Sequence, residues 1–352
     1  MNKLFILGNG FDLAHQLPTS YEHFIVDHLK QALHSANDGN DRVYKDELIY
    51  IETYRYRFRP EQIDACNTIE DFHNYVKQYK EYIHVEYKNH FFKQLISIEE
   101  GLKLWYDIEK FYYKELIRIA AVGATAVGIQ EVLELNKTLD LIKNKLELYL
   151  TEKIRIPSKV GNIHSTRFYD IFSQHGDNQK LILNFNYTDT IKLYLPFLGN
   201  NTRVINLHGQ LNNDDNPLVL GYGDNRDRNY RDIQELDHPE YLKFIKHFSY
   251  NLSGNQADLI AFLSSGAFTV EIIGHSCGLS DRTIFHRIFQ HQMFQGLKIY
   301  YYQTKDNFSL LNKSLDRHFD DPNRWADLVQ PFDEKLKCPQ FDLTSVLQTT
   351  KN

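Results

Sequence analysis

Cysteine is scarce in this 352-residue chain. The three present, Cys66, Cys277 and Cys338, lie far apart and form no Cys-x-x-Cys pair. That excludes a zinc ribbon or a disulfide framework and is the usage expected of a protein of the reducing cytoplasm. Long apolar runs are also missing. The best candidate, Ile119 to Ile129, falls short of the ~20 residues of a membrane span, and Gly123, Thr125 and Gly128 interrupt it. No secretory leader is expected, because Gly8-Asn9-Gly10 and Asp12 break the apolar start almost at once. Positive charge is not in excess: the formal net charge is -6, which argues against a dedicated nucleic-acid binder with a strongly basic face. There is no Gly-x-x-x-x-Gly-Lys-Ser/Thr, so a P-loop NTPase is not supported.

What is present is globular composition, with 42% hydrophobic and 24% charged residues, on a chain long enough to bury a core without staples. Its length suits two structural units, or one domain with a large insertion. The 23 Phe and 23 Tyr are read as packing for helical faces and core rather than as a ligand cage. Lys3 to Leu7 is an apolar run ending at glycine, the pattern of a buried parallel strand. Thr19 or Ser20 can cap a following helix with a buried face at Phe24, Ile25, His28 and Leu29. From Val43 to Leu150 the periodicity is mostly helical, most clearly in the series Leu133, Leu135, Leu139, Ile142, Leu146, Leu150, with a break at Gly123 and Gly128 just before it.

Strand signals then return, each ending in glycine or small polar residues: Leu181 to Leu183, Val204 to Leu207, Leu218 to Leu220 and Phe268 to Ile273, followed by Leu297 to Tyr302. Helical segments such as Asp281 to Met293 lie between some of them. The fold class expected is α/β, a mainly parallel Rossmann-like sheet built from residues 3–7, 181–184, 203–207, 268–273 and 297–301. Residues 1–42 and 156–310 would form this discontinuous nucleotide-binding domain, with a helical insertion at 43–155 after the first strand and helix. Residues 311–352 would be a C-terminal extension, and the tail after Asp321 reads as irregular.

Open α/β sheets bind ligands outside the carboxyl ends of their strands, so the residues just after each strand carry the most weight. Gly8, Asn9, Gly10, Phe11 and Asp12 follow the first. Glycines at 8 and 10 permit a tight turn whose N–H groups can approach a diphosphate, although Leu13 stands where a full dinucleotide fingerprint needs a third glycine. Asn186 and Tyr187 follow the second strand of the sheet, and His208 and Gly209 the third. An amide can orient a ribose or a water, and an imidazole can take a proton near neutral pH. Gly274, His275 and Ser276 follow the fourth, with backbone amides and a hydroxyl for a ligand. Asp281 is read first as a helix cap. Cys277 has no partner spacing for a thiol protease.

The opening Met1 to His15 with Leu17-Pro18-Thr19-Ser20-Tyr21 resembles the AbiH family of bacterial abortive-infection proteins. So do Trp105-Tyr106-Asp107-Ile108-Glu109, Asn184-Phe185-Asn186-Tyr187-Thr188, Leu207-His208-Gly209 and Ile273-Gly274-His275-Ser276. The same strand ends resemble, more distantly, the sirtuin-like NAD-consuming domains of phage-defence proteins. That likeness implies a sirtuin-like sheet, Asn186 and His208 as catalytic residues, and NAD as substrate or ligand. Thr188 replaces the usual acid there, with Asp189 adjacent, and the cysteine-bound zinc module of the deacetylases is missing, so protein deacetylation is not implied.

The expectation is an antiviral growth-arrest enzyme that cleaves the nicotinamide–ribose bond of NAD or acts on a related nucleotide. Gly8 to Asp12, Tyr187, Gly209 and Gly274 to Ser276 would bind the nucleotide, and no metal is expected. Partners implied are the nucleotide and a phage-derived trigger or another defence protein, with no membrane; a homo-oligomer is compatible. Two alternatives stay open: a nucleotide-sensing or partner-binding module without turnover, and a metal-dependent nuclease using Asp12, Asp189, Asp224 and Asp281.

Overall fold

The computed structural model describes residues 1–54, 57–97, 105–157, 160, 163–173 and 178–343. The chain divides into two compact units. One comprises Met1–Pro18, Glu147–Glu235 and Phe244–Asn352; the other comprises Thr19–Leu146 and Leu236–Lys243. Strands β1–β8 and helices α1–α14 are numbered along the chain.

The first unit is built on a five-stranded sheet of β1 (Asn2–Leu7), β5 (Lys180–Asn184), β6 (Thr202–Asn206), β7 (Phe268–Ile273) and β8 (Phe294–Tyr300). Its order is β6-β5-β1-β7-β8, and every neighbouring pair is parallel. The helices described in this unit are α1 (Asn9–Ala14), α8 (Arg167–Ser173), α9 (Arg228–Glu235), α10 (Lys246–Leu252), α11 (Asn255–Ser264), α12 (Arg282–Phe289), α13 (Lys305–Asp316) and α14 (Pro322–Leu328). Leu4, Phe5, Ile6 and Leu7 of β1 have no exposure at all, and Leu181 to Leu183 of β5 are the same. This is why these strands read as unbroken apolar runs: both faces of a parallel sheet are covered, so alternation disappears. All five segments expected to be strands belong to this one sheet. From β1 the chain adds β5 and β6 on one side, then returns to add β7 and β8 on the other. The reversal falls between β1 and β7, the place where such sheets open a crevice.

Two expectations fail in this unit. Leu218 to Leu220 is no strand of the sheet. It runs extended beside the β6 exit, with Val219 N–H donating to His208 O at 2.8 Å, and Tyr222 bridges Ile245. The tail after Asp321 is not irregular as far as the described residues extend, to Leu343. It forms α14, bridges β8 through Leu297–Val329 and pairs Tyr301 with Lys337. Further along, Phe341 N–H donates to Ala14 O at 2.7 Å and Leu343 is fully buried. Its apolar residues are spaced for contact with the existing core rather than for any period of their own.

The second unit holds α2 (Tyr21–Asp38), α3 (Pro60–Asp64), α4 (Ile69–Gln78), α5 (His90–Leu95), α6 (Trp105–Ala120) and most of α7 (Ala126–Lys153). Ser20 caps α2 in a capping box with His23, and Phe24, Ile25, His28 and Leu29 are buried as expected. Gly123, at φ +79°, stands in the break between α6 and α7. On α7 the periodic series is buried except Leu133, which is 42% exposed. The segment is not helical throughout, however. β2 (Val43–Lys45), β3 (Ile49–Thr53) and β4 (Ile83–Tyr87) form an antiparallel sheet in that order. Ile49, Ile51 and Thr53 alternate with half-buried Tyr50 and Glu52, the period-two pattern of a one-sided strand. Asp46 Oδ1 fixes the β2–β3 turn by accepting the N–H groups of Leu48 and Ile49, each at 2.8 Å.

Candidate functional site

The switch point between β1 and β7 is closed by backbone. Gly10 N–H donates to Gly274 O at 2.8 Å, and Gly8 N–H to Ile273 O at 3.1 Å. A Cβ on Gly10 would lie 2.7 Å from Gly274 Cα; one on Gly8 would lie 2.6 Å from His275 Cα. Gly274 itself sits at φ +69°, in the left-handed region that favours glycine. These glycines therefore let two strand-end turns pack backbone to backbone. The N–H groups of Gly8, Gly10 and Phe11 are spent on Ile273, Gly274 and Gly8 carbonyls, so those three are not free for a diphosphate as the sequence suggested. Phe11 is core, edge-on to Phe168 and Phe172. Asn9 is half-buried.

α1 carries Asp12 inward. Its Oδ2 accepts the Thr188 hydroxyl at 2.6 Å, while Oδ1 is buried and hydrogen-bonds to nothing among the described residues. Burial pushes the carboxyl up to about 6, against the lowering effect of the Thr188 and Thr190 hydroxyls. Thr188 belongs to the turn after β5. Asn184 organises that turn: its Nδ2 donates to Asn186 O, to Thr188 O and to Asn206 Oδ1, and its Oδ1 accepts the Asn186 N–H. Asn186 is thus fixed through its backbone. Its side-chain Nδ2 is buried and without a partner among the described residues. Tyr187 donates its hydroxyl to Val219 O at 3.1 Å.

Leu7, Asn184 and Asn206 are in register across β1, β5 and β6. Asn186 and His208 stand two residues past the paired ends of adjacent strands. His208 Nε2 lies 3.0 Å from Asp281 Oδ1 and 3.1 Å from the Tyr250 hydroxyl. Lys246 Nζ, fully buried, reaches the same Oδ1 at 2.8 Å. Burial opposes ionisation of Asp281, but Lys246 and His208 outweigh it and hold the carboxyl well below its usual range. His275 Nε2 lies 3.8 Å from Asp281 Oδ2, and its Nδ1 accepts Cys277 N–H at 2.9 Å. Burial lowers His275 to about 3, so its ring stays neutral. Phe185 stands between the two histidines, with ring centroids at 4.9 Å from His208 and 4.3 Å from His275.

Asp281 is therefore not the cap it was expected to be: its side chain makes no capping bond to α12, which begins at Arg282. Lys246 and Tyr250, one turn apart on α10, were not foreseen. Their signal was a lysine and a tyrosine four residues apart in a helix too short to show a clear stripe. Gly209, at φ +91°, packs on Pro217, and a Cβ there would meet Pro217 O at 2.2 Å. Ser276 is half-buried in the β7–α12 loop. Cys277 is buried in the same loop, and burial pushes its thiol up, away from a reactive thiolate. The four carboxylates weighed as a metal set have separate partners: Thr188 for Asp12, Lys192 for Asp189, Arg282 for Asp224 and Lys246 for Asp281. Among the described residues no three His, Cys, Asp or Glu side chains gather as ligands.

A family model described as bacteriophage abortive infection AbiH matches residues 65–303, more than half of the chain. The chain belongs to the AbiH family. No curated protein and no solved structure matches it. The match begins after the Gly8 to Asp12 turn but takes in the Asn184 to Thr190 turn, His208, Lys246, Tyr250 and the Gly274 to Asp281 loop. Of the segments whose sequence resembled AbiH, Trp105 to Glu109 is the start of α6. Membership places this AbiH protein in phage defence by abortive infection. No helix among its described residues is long and apolar enough to cross a membrane.

Proposed function

We propose that this AbiH protein arrests infected cells enzymatically, by cleaving the nicotinamide–ribose bond of NAD at the carboxyl edge of its parallel sheet. The observation that carries the reading is Asn186 Nδ2, a buried donor with no partner among the described residues, on a turn that Asn184 fixes. An unmade buried hydrogen bond costs about 1–3 kcal/mol, and a ligand oxygen relieves that cost. Asp12 Oδ1 is the complementary unmatched acceptor, tied to the same turn through Thr188. A donor and an acceptor left open at neighbouring strand ends fit the hydroxyls of a ribose. The distant resemblance of the strand-end blocks to sirtuin-like domains supports NAD as the nucleotide.

In this reaction the bond between the ribose carbon and the pyridinium nitrogen breaks, and nicotinamide leaves as a neutral base with the bonding pair. Water adds to the ribose carbon and loses a proton, giving ADP-ribose. Asn186 would hold the ribose or the water, and His208 would take the proton or bind a ribose hydroxyl. Thr188, where the resembling domains carry an acid, donates to Asp12, so a carboxylate is supplied from α1 instead. This favours turnover over a binding-only module. The test is incubation of purified protein with NAD without magnesium, followed by product analysis. Nicotinamide release that disappears in Asn186→Ala and in His208→Ala, each still folded, is the expected result. Intact NAD, or release unchanged in either variant, would defeat the reading.

A further inference from the structure

Resting on the assignment of His208 as the proton acceptor, we propose that Asp281 and Lys246 are its positioning residues, locking the ring as the Nε2–H tautomer and leaving Nδ1 as the atom that takes the proton. Asp281 Oδ1 is the hub. It receives Lys246 Nζ at 2.8 Å, His208 Nε2 at 3.0 Å and the Tyr250 hydroxyl at 3.4 Å. An ionised carboxylate only accepts hydrogen bonds, so the hydrogen on that edge of the imidazole belongs to Nε2. His208 Nδ1 has no hydrogen-bond partner among the described residues. The ring is held from both sides as well: Phe185 is edge-on to it, and Tyr250 is stacked with it at an interplanar angle of 7°.

Lys246 has a second effect. With no exposure of its side chain, it fixes a positive charge 3.5 Å from His208 Nε2. That charge keeps Asp281 ionised, and so an acceptor of the Nε2 hydrogen. His275, neutral and 3.8 Å from Asp281 Oδ2, adds no charge, and Tyr250 completes the set facing this edge.

The test begins with full-length wild-type protein carrying nitrogen-15 histidine, with His208→Gln used to assign the signal. Nitrogen NMR at neutral pH should show His208 protonated at Nε2; an Nδ1–H ring would overturn the proposal whether or not NAD is the substrate. Removing one member of a buried pair can unfold a protein, so the double variant Lys246→Met/Asp281→Asn, which removes both charges, accompanies the single ones. In any variant lacking Asp281 that remains folded, the Nε2–H preference should weaken, and an unchanged tautomer would overturn the proposal. If NAD stays intact while the tautomer behaves as described, the substrate assignment fails and the positioning role stands.

Discussion

Replacing Asp12 with asparagine should stabilise this protein at neutral pH while removing its activity. Burial raises the carboxyl from 3.8 to about 6. Ionising it inside the fold therefore costs ~2 units more than in the unfolded chain, about 3 kcal/mol at 1.36 kcal/mol per unit. Asparagine keeps the shape and can still accept the Thr188 hydroxyl, but it carries no charge to desolvate. A weaker bond to Thr188 returns ~1 kcal/mol, leaving a net gain of about 2 kcal/mol at pH 7. The pH dependence gives the sign. Below about 4 the carboxyl is neutral in both states, and the variant should gain nothing. As pH rises through 4 to about 6 the unfolded chain gives up this proton first, so wild-type stability falls relative to the variant. Above about 6 the difference is constant. Urea unfolding of both proteins at several pH values measures it, with nicotinamide release as the paired readout. A variant less stable at pH 7, or a difference independent of pH, would refute the reasoning that Asp12 is held ionisable at the expense of stability. A stabilising gain with undiminished release would instead remove Asp12 from the site.

Gly10→Val should be a folding lesion rather than a clean binding mutant, because its Cβ meets Gly274 Cα at 2.7 Å; a thermal melt unchanged from wild type would contradict this. Buried His15, His28 and His318 are each lowered to about 4, and His275 to about 3, by desolvation. Their stabilising contribution is complete above 6.5 and is lost as pH falls toward those values, ~3 kcal/mol for each of the first three and ~5 kcal/mol for His275. Far-ultraviolet circular dichroism across pH 7 to 3 should show acid unfolding inside that window, and a fold intact at pH 3.5 would contradict the burial of these rings. Asn184→Ala should cost ~2–3 kcal/mol by releasing the Asn186 and Thr188 carbonyls, and should lower release more than it lowers stability. Equal losses would make Asn184 purely structural.

The central strands were legible because a strand covered on both faces, as β1 and β5 are, reads as an unbroken apolar run, and the first four runs ended at glycine or small polar residues. β3 and β4 carried an equally plain signal, with Ile49 and Ile51 alternating against Tyr50 and Glu52. It was lost among longer helical periods on either side, where short strands contribute few repeats. The strand ends named the residues at the site, but not their partners. Asp281 stood where a helix cap belongs, and local sequence cannot distinguish a carboxylate that caps from one drawn to Lys246 thirty-five positions away. Gly8 and Gly10 read as a cradle for phosphate. Their neighbour is Gly274, and only the strand order β1-β7 brings that backbone against them.

That strand order also bears on when the strand-end residues come together during synthesis. The central strand is the first to leave the ribosome, yet its two partners begin at residues 180 and 268. β1 can join β5 only after the first of these points and β7 only after the second, and pairing across such separations is slow because the loop must close before any contact rewards it. The contacts of His208 with Lys246 and Asp281 wait for the later of the two. A chain interrupted before its last third leaves a fragment without Lys246, Tyr250 and Asp281, the groups that face His208 Nε2. Completion of the Asp281 hub is in this way left to the segment made after β6, and the delay is written into the topology.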